Sequence, residues 1–304
     1  MYKIELGKSG LSVPTVAVGC MRISNMNEKE ASAFLDTALQ NGANFFDHAD
    51  IYGRGQSETV FGKAIKNYNR EDIIIQTKCG IVPGKMFDFS YEHIIESVEG
   101  SLKRLDTDYI DVLLLHRPDA LMEPQEVAKA FSNLKESGKV RHFGVSNQNP
   151  YQMELLGKYL DMPLVANQLQ FSIMHAPMIQ SGINVNMNND SATNRDGGVL
   201  DYCRLNNITI QPWSPMQHGF FKGCFVDNDE FPELNAVMQN LAEKYSVSKT
   251  TIAIAWILRH PAKMQPITGT TNLQRLKDSF TAAEVTLTRE EWYEIYKAAG
   301  NILP

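Results

Sequence analysis

The chain has 304 residues, 43% hydrophobic and 21% charged, the balance of a globular protein with a large core. A net charge of −6 disfavours nucleic acid or an anionic membrane as the main partner, and no apolar run is long enough to span a bilayer. The start, Met1 to Glu5, lacks the apolar core of a signal peptide, and the four cysteines (Cys20, Cys79, Cys203, Cys224) show neither Cys-x-x-Cys nor metal-like spacing, so reduced thiols in a cytoplasmic protein are expected.

Residues 2–13 read as a small hairpin turning at 7–10, and 15–19 are strand-like. Asn27 with Glu30 three residues on forms a capping-box pattern. It opens a helix with Ala31, Phe34, Leu35 and Ala38 on one face, stopped at Gly42. The apolar run 43–46 is closed by Asp47, and a helix over 57–66 follows. Residues 73–77 lead to Lys78, then Ile94, Val98, Leu102 and Leu105 stripe a helix. Residues 110–115 end on His116, and Val127, Ala130, Phe131 and Leu134 stripe the next helix, ended by Gly138. Strands five and six fall at 140–145 and 163–168, with a helix at 152–159 between them. Residues 181–198, rich in Asn, Ser, Asp and Gly, lack apolar periodicity and read as a long, mobile surface loop. Strand seven is 208–213, helices follow at 232–245 and 248–259, strand eight is 264–268, and helices at 272–283 and 289–299 close the chain. This alternation fits a closed (β/α)8 TIM barrel with an N-terminal β-hairpin and extra helices better than an open doubly wound sheet. No composition break marks a linker, so residues 1–304 read as a single domain.

Short apolar runs that end on Asp47, Lys78 and His116 would deliver an acid, an amine and an imidazole to one rim of such a barrel. Between the first two lies Asp47-His48-Ala49-Asp50-Ile51-Tyr52-Gly53. A tyrosine with a pKa near 10 is a poor acid at neutral pH, but a neighbouring ammonium lowers that value by stabilising the phenolate. Lys78 is the neighbour, Asp47 holds it charged, and His116 can donate a hydrogen bond to a carbonyl oxygen. Together they make a proton donor with an electropositive cradle for a developing alkoxide. Each residue alone has a plainer reading. Asp47 could cap a helix, Lys78 could reach solvent or form a Schiff base, and His116 and Tyr52 could belong to the core.

The tetrad occurs with Gly-Val-Ser-Asn at 144–147, Asn167-Gln168, Trp213-Ser214-Pro215, and Thr268-Gly269-Thr270 followed by Arg275. With Leu115-His116-Arg117-Pro118-Asp119 and the stretch 138–147, this set resembles the aldo-keto reductase family along essentially the whole chain. The resemblance implies NADPH-dependent reduction of a small-molecule aldehyde or ketone, with Tyr52 as proton donor, Lys78 and Asp47 tuning it, and His116 positioning the carbonyl. Ser146, Asn147 and Gln168 would bind the nicotinamide carboxamide, and Trp213 would stack beneath its ring. Gly19, Cys20 and Met21 would approach cofactor and substrate, and Ser214 and Met216 match the loop over the pyrophosphate. Arg275 matches the reader of the 2′-phosphate, Thr270 adds a hydroxyl, and Asp278 and Ser279 lie where the family contacts adenine. Many members carry a lysine where this chain has Gly269, so NADP preference should be weaker here, with NADH serving less well. His48 and Asp50 also depart from the commoner Thr and Glu.

Two rival functions remain open at this level: an aldolase or lyase using Lys78 as a nucleophile, and a cofactor-binding regulatory subunit. Cys20 and Cys79 read as small buried apolar residues. The loop 217–231, with Phe220, Phe221 and Phe225, and the loop 181–198 are candidates for substrate specificity. A short tail after the last helix predicts an open site, and no exposed apolar stripe is evident, which suggests a monomer with no membrane partner.

Overall fold

The computed structural model describes residues 2–304, with Met1 outside the described residues. Eight parallel strands form one sheet: β1 Ala17–Gly19, β2 Phe45–Asp47, β3 Ile74–Cys79, β4 Ile110–Leu115, β5 Val140–Ser146, β6 Leu164–Gln170, β7 Thr209–Trp213 and β8 Ile267–Thr268. Their order is β7-β6-β5-β4-β3-β2-β1-β8, and the Gln265 amide reaches the Ile210 carbonyl at 3.0 Å across the remaining seam. The result is a nearly closed (β/α)8 barrel, as the alternation predicted. Strand eight pairs over a shorter span than expected because Pro266 has no N–H and the Gln265 amide is committed to Ile210.

The strands are buried on both faces, which is why they read as continuous apolar runs. Inside the barrel, Ala17, Phe45, Ile74, Val112 and Val165 pack against Leu6 and Val13 of the N-terminal hairpin, Lys3–Glu5 with Ser12–Pro14. The hairpin therefore plugs the floor. Gly7 makes the closest approach: its φ is +55°, a Cβ there would sit 2.4 Å from the Val165 carbonyl oxygen, and its amide donates to Thr209 Oγ1 at 2.8 Å.

Helices α1 Glu28–Gln40, α2 Gln56–Ala64, α3 Tyr91–Leu105, α4 Pro124–Glu136 and α5 Pro150–Gly157 cover the outside of the first six strands. The Asn27–Glu30 capping box forms as expected, and Phe34, Val98, Phe131 and Leu134 are fully buried beneath these helices, each contributing about 1.5–3 kcal/mol. Beyond β6 come α6 Pro177–Ile183 and α7 Val199–Asn206, then α8 Pro232–Tyr245, α9 Lys249–Leu258, α10 Leu273–Thr281 and α11 Arg289–Ala298.

Most of the polar stretch 181–198 is the expected surface loop. Its start belongs to α6, and its Asn and Asp side chains fold it locally: Asn189 Oδ1 accepts from the Ala192 amide at 3.0 Å and Asn194 Oδ1 from Gly197 at 2.8 Å. Helices α6 and α7, seven and eight residues long, are too short to impose a visible period. The expected absence of an exposed apolar stripe is also corrected. Tyr151 (80% exposed) and Leu155 lie outward on α5, with Tyr159 just after it. Among the described residues no helix is long and apolar enough to cross a membrane.

Candidate active site

The carboxyl ends of the strands share one rim, and the chain leaves them by loops that follow the strand edges. The His48 amide donates to the Gln76 carbonyl at 2.8 Å, Asp50 to Lys78 at 3.1 Å, and His116 to Cys79 at 2.9 Å. After β2 the backbone enters a tight left-handed turn, with φ of +58° at Gly53 and +57° at Arg54. A Cβ on Gly53 would meet Ser24 Cβ at 2.5 Å. This turn folds Tyr52 back over the barrel mouth.

Lys78 is fully buried in β3, and its Nζ donates to Asp47 Oδ2 at 2.8 Å, to the His48 carbonyl at 2.6 Å and to the Tyr52 hydroxyl at 3.2 Å. Asp47 Oδ1 accepts from Gln76 Nε2 at 2.6 Å and from Gln168 Nε2 at 3.0 Å. The amides continue down the barrel axis. Gln76 Nε2 donates to Gln211 Oε1 at 2.9 Å, Gln211 to Gln265 at 2.9 Å, and Gln265 to the Pro14 carbonyl at 2.7 Å. The Tyr52 and His116 rings meet edge-on, 5.9 Å between centroids.

Electrostatics assign a form to each group. Burial pulls the Lys78 pKa down, but Asp47 and Tyr52 more than offset it, so the ammonium is held above its ordinary range. For Tyr52 the expectation of a lowered pKa fails. Burial pushes it up, Lys78 opposes that, and Asp47 adds to the rise, so the phenol stays protonated. His116 is driven well below its ordinary value by burial and by the cations Lys78 and Arg117, and its buried Nδ1 has no hydrogen-bond partner. A neutral imidazole facing a neutral phenol, with a fixed ammonium behind the phenol, can polarise a carbonyl and give it a proton.

A cleft of about 1110 Å³ runs from this cluster toward α10. Asp47, Tyr52 and His116 line it, while Lys78 lies behind Tyr52. Next to them on the wall stand Ser146, Asn147, Gln168 and Trp213. These are linked: Trp213 Nε1 donates to Asn147 Oδ1 at 3.1 Å, Asn147 Nδ2 to Ser146 Oγ at 2.7 Å, and Ser146 Oγ to the Gln168 carbonyl at 3.0 Å. Gly19 and Met21 line the middle with Ser214 and Met216. Gly269, Thr270, Arg275 and Ser279 line the far end, where the Arg275 amide donates to Asn272 Oδ1, the cap of α10, at 3.0 Å. Cys20 and Asp278 are not on the wall. The Cys20 thiol is buried against the Val18 carbonyl with its pKa raised by that burial, and Asp278 accepts from Gln274 at 2.9 Å.

Some wall residues were not singled out from the sequence. Arg22 donates from Nη1 to the Gly269 carbonyl at 2.8 Å, and a Cβ on Gly269 would lie 2.8 Å from that same nitrogen. The guanidinium thus occupies the volume a side chain at 269 would take. Arg117 sits with its Cζ 5.5 Å from the Trp213 ring centre. The available signal was position, since Arg22 and Arg117 directly follow Met21 and His116 at the functional rim. Phe220 and Phe221 reach the cleft beside Trp213 as the loop suggested, whereas Phe225 is fully buried in the core.

The cleft exceeds the roughly 300–1,000 Å³ of an ordinary small-ligand site and has the Arg22 and Arg275 guanidiniums toward one end and, at the other, the Trp213 ring beside amides with Arg117 next to it. Those groups match an elongated anion joined to a flat amide-bearing ring.

Comparison with known proteins agrees. The model of the Aldo/keto reductase family matches residues 15–299. A 6-dehydroglucose reductase from Agrobacterium fabrum is 34% identical, with 98% of each chain covered. The oxidoreductase YdhF of Escherichia coli is also 34% identical over 98% of each chain. The crystal structure of the thermostable aldo-keto reductase Tm1743, in complex with the inhibitor epalrestat, superposes with a TM-score of 0.79 at 26% identity, covering 98% of this chain and 100% of that one. With the barrel, the rim cluster and this whole-length likeness together, the chain belongs to the aldo/keto reductase family of oxidoreductases, which reduce carbonyl groups with NAD(P)H.

Proposed function

We propose that the protein reduces aldehydes or ketones with NADPH, Tyr52 giving the proton to the carbonyl oxygen. The observation that carries this reading is Lys78 Nζ held between Asp47 Oδ2 at 2.8 Å and the Tyr52 hydroxyl at 3.2 Å. When bound, NADPH supplies the hydride that reaches the carbonyl carbon. Tyr52, kept neutral by burial, has its proton ready at physiological pH. As that proton leaves, Lys78 stabilises the phenolate, and Asp47 with its glutamine donors keeps the ammonium in place. His116, neutral, offers an N–H to the same oxygen. Ser146, Asn147 and Gln168 would take the carboxamide, Trp213 the ring face, and Gly19, Met21, Ser214 and Met216 the middle of the dinucleotide. Gly269, Thr270, Arg275 and Ser279 would hold its far end.

Tyr52→Phe should lower kcat for reduction by about 10²–10⁴-fold while NADPH affinity, read by cofactor fluorescence, changes little. Wild-type turnover in this variant would remove Tyr52 from the role. Two guanidiniums, Arg275 and Arg22, on the wall near 269–275 support preference for a 2′-phosphate despite Gly269. Arg275→Ala should therefore weaken NADPH binding about 10–100-fold and NADH binding by less than about threefold; equal losses would show that it does not read the phosphate.

The aldolase reading loses support because a Schiff-base amine must become neutral, and Asp47 keeps Lys78 charged. A purely binding role would leave the assembled proton donor without purpose. The 6-dehydroglucose reductase relative places oxidised sugars on the first substrate panel. Four free cysteines, three of them buried, suit a reducing cytoplasm.

A further inference from the structure

Arg117 stands at the carbonyl end of the cleft, next in sequence to His116 and half-buried against the Trp213 ring at 5.5 Å. Among the described residues it has neither a carboxylate nor a hydrogen-bond partner. The nearby acids are committed elsewhere. Asp47 is paired with Lys78 at 2.8 Å, and Asp119 accepts from the Phe89 and Leu121 amides, both at 2.9 Å. Burial pulls the Arg117 pKa down and only the Tyr52 oxygen opposes that. A partly desolvated guanidinium without a counter-ion is costly, and a ligand anion would complete it.

The surroundings narrow the anion. Trp213, Phe220 and Phe221 make the adjacent walls aromatic, with Phe220 edge-on to Trp213 at 6.1 Å. A single planar fork with no second cation beside it suits a singly charged, planar carboxylate better than a phosphate dianion, which gathers several donors. Building on the reductase reading, we propose that the preferred substrate is an aldehyde or ketone carrying a carboxylate on a flat, mainly apolar spacer. Arg117 grips the carboxylate while Tyr52 and His116 engage the carbonyl.

The test compares 4-carboxybenzaldehyde with its methyl ester and with benzaldehyde, using NADPH and the wild type, Arg117→Met and Arg117→Lys, each checked for an unchanged melting profile. The wild type should favour the carboxylate over the ester by roughly tenfold or more in kcat/KM. Arg117→Met should lose about 10–100-fold on the carboxylate and much less on the uncharged pair, with Arg117→Lys in between. No carboxylate preference in the wild type, or equal losses on all three aldehydes, overturns the proposal while leaving the reductase reading intact. If the wild type reduces none of them, the reductase reading falls for this substrate class. Calorimetric titration with 4-(hydroxymethyl)benzoate then decides the matter: binding by the wild type but not Arg117→Met upholds the arginine's role, and equal or absent binding rejects it.

Discussion

Asp50 shows how far a single carboxyl can be moved by its surroundings. Burial raises its pKa to about 7, the neighbouring Glu58 adds to the rise, and one of its oxygens is buried without a partner. The sign of the linkage follows. An unfolded aspartate ionises near pH 4 at no cost, whereas the folded one resists ionisation until about pH 7, so stability is lost as pH rises between those values. Asp50→Asn removes that burden. The variant should gain stability over wild type, and the gain at pH 8 should exceed that at pH 5 by ~2 kcal/mol in urea unfolding. A pH-independent difference would mean the carboxyl is already ionised in the native state. His48 is the opposite case: burial and Lys78 lower it to about 3, so the folded ring stays neutral while the unfolded one protonates below about pH 6.5, and stability falls as pH drops through that window, equally in wild type and variant.

At the level of strands and helices, the rim cluster was legible because its members end apolar runs. Asp47 and His116 interrupt hydrophobic stretches where packing alone gives no reason for charge. Tyr52 became visible through its short spacing from Asp47, since one turn can return it to the same strand end. Gln76, Gln211 and Gln265 left no such trace. A polar residue inside a strand looks like a solvent-facing one until closure of the barrel turns it toward the axis. The same limit explains α6 and α7, whose few apolar positions become a face only when β6 and β7 are in place. The direction of the Tyr52 shift was also out of reach. Spacing showed that an ammonium would lie nearby, but the opposing cost of burial depends on how completely the turn at Gly53 covers the ring.

Across the whole molecule, the axial glutamines join the floor of the barrel to the rim. Removing one member leaves buried partners without their hydrogen bonds, at about 1–3 kcal/mol each, and loosens the support of Asp47. Gln211→Leu should therefore lower the melting temperature and reduce kcat together, while KM for the carbonyl substrate stays within about twofold. A variant with lower stability but unchanged kcat would show that the chain is scaffolding only.

Arg22 and residue 269 compete for a single volume, because the arginine's nitrogen already stands 2.8 Å from where a side chain at 269 would begin. A lysine introduced at 269 would therefore meet the flexible end of Arg22, which must shift to make room for it. Cations at 22 and 269 would be coupled neighbours, so their effects on anion affinity should not simply sum.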